Sequence, residues 1–102
     1  MAKAAKRLDP IPPGEMLYEE FRRPHKISQN RLASDIDVKP ARINDIVHAR
    51  SSITVGIALR LAKYFGTTTE LWLNLQADYD LRRARAKDLP KVEPRVRVLA
   101  AE

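Results

Sequence analysis

Apolar positions recur at helical spacing from residue 13 to residue 86, broken by short polar turns. Leu17 and Phe21 lie four apart in a first segment, 13–22, which opens on Pro13 and meets Pro24 just past its end. Leu32, Ala33 and Ile36 line one face of a second segment that Ser28 can cap. Asp37 falls where the chain must turn, a position suited to positive φ. Val38 returns to the core, and Pro40 opens a third helix whose inner face is Ile43, Ile46 and Val47. Ala33 is small enough to let these two helices cross closely. Thr54 caps a fourth segment, 55–65, closed by Gly66. It has eight apolar residues in eleven, which predicts a central helix covered on more than one side. A fifth helix, 69–86, starts at Thr67 or Thr68, and Thr67 with Glu70 fits a capping box. The fold class is therefore all-α, with five helices.

Two flanks break the pattern. Residues 1–12 read as a flexible basic arm with Lys3, Lys6 and Arg7 ahead of Pro10, Pro12 and Pro13. Residues 88–102 contain Pro90 and Pro94, which argue against a helix, and RVRVL alternates with period two. This reads as an extended or disordered tail, or a strand that needs a partner edge. Residues 13–87 remain as one helix-turn-helix and dimerisation domain.

Charge changes the picture more than length does. The chain of 102 residues carries a net charge of +6, the balance of a protein that meets a polyanion. It has no cysteine, so no disulfide framework and no thiolate metal site. Its basic start has no apolar run behind it, so no signal peptide is expected, and a cytoplasmic location is the default. His25 and His48 fit no metal or triad spacing. No cofactor and no enzymatic activity are expected.

A short turn between two crossed helices is the arrangement that places a recognition helix in the major groove. With Ile43, Ile46 and Val47 inward, Ala41, Asp45 and His48 face outward, flanked by Arg42 and Asn44. Ala41 permits close approach to a groove floor. Asn44 matches the edge of adenine, and Arg42 or Lys39 that of guanine. Asp45 is expected to pair with Arg42 on the neighbouring turn. His48 and Arg50 are placed for phosphates, although His48 can equally complement the helix end. Gln29, in the first turn of the second helix, can reach the DNA backbone.

The pieces PGE, SQNRLA, ALRLAKYFGT and WLNLQ, in this order, resemble the HigA-type antitoxins, which are phage-repressor-like (Cro/XRE) helix-turn-helix proteins. The resemblance covers about residues 10–86. It implies a homodimer, a palindromic operator in the protein's own promoter, and a RelE-like ribonuclease toxin as partner. It carries DNA reading onto Gln29, Lys39, Ala41, Arg42 and Asn44. A stand-alone transcriptional regulator without a toxin would look the same. Surplus apolar residues suggest a dimer interface at Leu71, Leu75 and Tyr79, with Trp72 in the monomer core. Glu15, Glu19 and Glu20 form the densest acidic group and the preferred surface for a basic toxin. The 88–102 tail is the second choice.

Overall fold

The computed structural model describes residues 10–100, and the predicted basic residues Lys3, Lys6 and Arg7 lie outside that range. Helix α1 occupies residues 13–25 as three continuous pieces: an α turn Pro13–Met16, a π-helical stretch Leu17–Arg22 and a last α turn Arg23–His25. Pro24 was expected to stop this helix, and it does not. A proline clashes with the carbonyl four residues back and donates nothing. The wider π turn just before Pro24 relieves that conflict. The helix ends one turn later at Lys26, which takes a left-handed φ of 57°. The Lys26 N–H donates to the Arg23 carbonyl (3.1 Å) and the Ile27 N–H to the Arg22 carbonyl (2.9 Å), a Schellman closure built without glycine.

Helices α2 (Gln29–Asp35) and α3 (Pro40–Val47) form the predicted pair. Ser28 Oγ accepts the Arg31 N–H at 3.0 Å, and Asp37 adopts φ 59°. The turn is closed by the Val38 N–H donating to the Ala33 carbonyl at 2.9 Å. Leu32, Ala33, Ile36, Ile43 and Ile46 are buried.

Helix α4 (Val55–Phe65) is capped by Thr54 and ended by Gly66 at φ 71°. It buries one face only, through Ile57, Ala58, Leu61 and Ala62. Val55 and Leu59 remain 58% and 56% exposed, so the expected cover on a second side is absent from the monomer.

Helix α5 (Thr69–Lys87) is capped by Thr68, whose Oγ1 accepts the Leu71 N–H at 3.1 Å. The predicted Thr67–Glu70 box does not form. Trp72 is fully buried, and its indole N–H takes Thr67 Oγ1 as acceptor at 2.7 Å. A buried donor needs a partner, and this one claims the hydroxyl that would otherwise cap. Phe21 joins the helices, with ring centroids 4.8 Å from Trp72 and 5.0 Å from Phe65.

Among the described residues nothing beyond Gln76 is buried, so the second half of α5 projects from the core. The chain then forms α6 (Leu89–Val92) and a 3-10 turn Glu93–Arg95. Pro90 and Pro94 do not exclude helix here, since each sits in a first turn, where its missing N–H is not needed. Residues 96–100 have no regular structure and are exposed. No described helix is long and apolar enough to cross a membrane.

Candidate nucleic-acid interface

The recognition helix is held from behind at two places. At its C-terminal half, α3 touches the backbone of α1. A Cβ built on Gly14 would collide with the Ile46 carbonyl oxygen and come within 2.6 Å of Val47 Cα. Glycine is what allows these helices to meet backbone to backbone. Beyond α3, the loop leading to α4 is tied to α5. Gln76 is buried, and its side-chain carbonyl accepts the Ile53 N–H at 2.8 Å while its amide donates to Asp80 Oδ1 at 2.9 Å. Sequence reasoning missed Gln76, although it stands four residues from Trp72 and so on the same helix face.

Arg22 braces the entry to α2. It is only 7% exposed, its Nε donates to the Ile27 carbonyl at 3.1 Å, and its guanidinium lies 5.1 Å from the centre of the Tyr18 ring. Burial holds its pKa below the usual arginine value, while the nearby Tyr18 pulls it upward. A second tie links α2 to α4, where the Tyr64 hydroxyl donates to Asp35 Oδ2 at 2.5 Å. That bond, more than burial, raises the Tyr64 pKa.

On the outer side, Ala41 and His48 are exposed and Asn44 is half-buried. The Asn44 side chain has no hydrogen-bond partner among the described residues, so its amide remains open to a base edge. Its backbone carbonyl is occupied instead, 2.8 Å from His48 Nδ1. A carbonyl accepts only, so Nδ1 carries the proton. Gln29 lies half-buried in the first turn of α2, and its side chain likewise has no hydrogen-bond partner among the described residues.

Asp45 does not pair with Arg42. Its Oδ1 meets Arg50 Nε at 3.3 Å, and its backbone carbonyl accepts the N–H groups of Arg50 (2.7 Å) and Ser51 (3.2 Å). Ala49 makes this return possible at φ 60°. The chain doubles back there, and that places Arg50, not Arg42, against the Asp45 carboxylate. The pair is solvent-exposed and so worth at most about 1 kcal/mol, which a phosphate can outcompete. Arg42 instead turns into a cleft beside α4, with Lys39 and Arg60.

Of the residues proposed for a dimer contact, Leu75 packs against the core and Tyr79 is half-buried under the Arg83 guanidinium (5.4 Å to the ring centre). Leu71 is the exposed one of the three. In α1, Glu19 pairs with Arg23 at 3.1 Å, Glu20 is exposed and Glu15 is half-buried. Among the described residues no cluster of His, Asp or Glu could hold a metal ion.

The helix-turn-helix family model matches residues 19–72. A curated relative, virulence-associated protein I of Dichelobacter nodosus, is 47% identical over 74 residues, covering 72% of this chain and 68% of its own length. An addiction module antidote protein of the HigA family from Coxiella burnetii superposes with a TM-score of 0.82 at 44% identity, over 90% of this chain and all of that one. The Pseudomonas aeruginosa antitoxin HigA, solved with the higBA promoter, gives a TM-score of 0.84 at 37% identity, over 89% of this chain and 99% of that one. The chain therefore belongs to the helix-turn-helix family, in its Cro/XRE branch, and within that branch it matches the HigA-type antitoxins in both sequence and structure.

Proposed function

We propose that this protein is an antitoxin that binds an inverted-repeat operator in its own promoter as a homodimer and neutralises a RelE-like ribonuclease toxin. The observation that carries the DNA reading is the outer side of α3. It presents a small Ala41 and an uncommitted Asn44 amide on a helix seated rigidly against Gly14. A similar antitoxin solved with promoter DNA supports operator binding by this chain. Two-fold symmetry would set two such helices one DNA turn apart, about 34 Å.

The test is binding to the chain's own upstream DNA, measured by fluorescence anisotropy against a scrambled duplex. Asn44→Ala is expected to cost about 1–3 kcal/mol per half-site and to relax the base preference at one position. Unchanged affinity and unchanged preference would remove α3 from the role of reader.

For the toxin we favour α1. An antitoxin that also represses must keep α3 free, and the exposed Glu20 and surface-paired Glu19 offer carboxylates to a basic partner. A fixed helix also loses less entropy on docking than residues 96–100, which have no regular structure. The second reading, a regulator without a toxin, shares every DNA-binding feature.

A further inference from the structure

Arg42 occupies an unusual position for a cation. It is half-buried where the start of α3 faces the start of α4, and its Nε is buried with no hydrogen-bond partner. Other arginines of the fold have found carboxylates: Arg23 with Glu19, Arg31 with Asp35, Arg50 with Asp45 and Arg82 with Asp78. Among the described residues, no carboxylate comes within ion-pair distance of Arg42, Lys39 or Arg60. Yet these three cations line one open cleft of about 300 Å³, which Asp37 also borders. Arg60 Nη1 makes only a long contact to the Gly56 carbonyl, 3.4 Å.

A desolvated donor without an acceptor, inside a ring of unpaired positive charge, is a site awaiting an anion with several acceptor oxygens. The cleft adjoins the N-terminal end of α3, so an anion held there would lie next to the reading surface. We propose that the cleft seats one backbone phosphate of the bound duplex, held by Arg42 and Arg60 with Lys39 at its edge. Arg42 is then a residue that positions the duplex and not one that reads guanine, and Arg60, on α4, belongs to the DNA-binding surface. The proposal rests on the DNA-binding reading above.

The experiment measures binding of the full chain to its upstream duplex and to a random-sequence duplex, by anisotropy, across a series of salt concentrations. Arg60→Ala is the main variant because its side chain is exposed and its removal spares the core. The expected result is an equal fold-loss of affinity on both duplexes, with the slope of log K against log salt becoming shallower by at most about 0.9, since the two arginines share one phosphate. Arg42→Gln should do the same and leave base preference unaltered. Base preference relaxed at one position by Arg42→Gln would make it a reader and overturn the assignment. An unchanged slope for Arg60→Ala, while wild type still binds, overturns the phosphate seat alone. Failure of wild type to bind either duplex removes the DNA reading and the seat with it. Melting in inorganic phosphate against chloride at matched ionic strength covers a free phosphate as the source. A wild-type Tm rise that Arg60→Ala abolishes, with the duplex salt slope unaffected, would make this a small-anion site and overturn the duplex assignment.

Discussion

The side-chain carbonyl of Gln76 accepts the backbone N–H of Ile53 at 2.8 Å, across 23 residues of sequence. The bond joins the projecting helix α5 to the loop that leaves the recognition helix. Both partners are buried. Gln76→Leu would keep the bulk and strand the Ile53 N–H, at a cost of about 1–3 kcal/mol. For a domain of this size each kcal/mol is about 4–8 °C in Tm. Urea denaturation should show this loss with an unchanged m-value. A variant as stable as wild type would mean that water replaces the glutamine at no cost.

Gly14 is the contact on which the angle of α3 depends. Gly14→Ala would drive a methyl group into the backbone at Ile46 and Val47, and backbone cannot step aside as a flexible side chain would. Stability is expected to fall by about 1–3 kcal/mol, with a loss of operator affinity larger than the loss of folded protein explains. Calorimetry and anisotropy on the same sample separate the two effects. Normal binding by the fraction that remains folded would mean that α3 keeps its angle.

The exposed apolar pair Val55 and Leu59, one turn apart on α4, bears on assembly. A second copy of the chain is the proposed cover, and Leu59→Glu should shift sedimentation from dimer toward monomer. Leu71→Glu tests the face first suggested by the sequence. Dissociation by Leu71→Glu alone would return the interface to α5.

Tyr64 and Asp35 give a pH dependence with a definite sign. The hydrogen bond to Asp35 raises the Tyr64 pKa above its unfolded value near 10. The neutral phenol is the form that donates, so its contribution is full below that value and is lost as the pH climbs through the raised pKa. Tyr64→Phe should flatten the alkaline fall in Tm. An identical alkaline profile in both proteins would show that the loss arises elsewhere.

Toxin neutralisation divides two surfaces of this chain. Glu15, Glu19 and Glu20 changed together to Lys should impair growth rescue in cells expressing the cognate toxin. Removing residues 88–102 should leave rescue nearly intact. The reverse pattern would move the interface to the tail.

Local chemistry made much of this protein readable. Ser28, Thr54 and Gly66 mark helix ends through contacts within five residues, and Asp37 marks the tight turn by its tolerance of positive φ. Leu32, Ile43, Ile46, Leu61 and Trp72 announce the core by spacing alone, because a helix brings positions three and four apart onto one face. The pieces PGE, SQNRLA, ALRLAKYFGT and WLNLQ together suggest the family. Choices between equivalent partners were settled only by the fold. Asp45 could reach Arg42 along the helix, but the chain reversal at Ala49 brings Arg50 to it instead. Thr67 and Thr68 are both good caps, and the burial of Trp72 decided which was free. Pro24 breaks an ordinary α-helix, yet the π-helical stretch before it lets α1 continue. Arg42 lines the cleft that α3 forms with the start of α4, and no periodicity encodes that cleft. Short-range rules rank the options for a side chain. Contacts between residues far apart in sequence select one, since a buried polar atom must find whichever partner packing brings within reach.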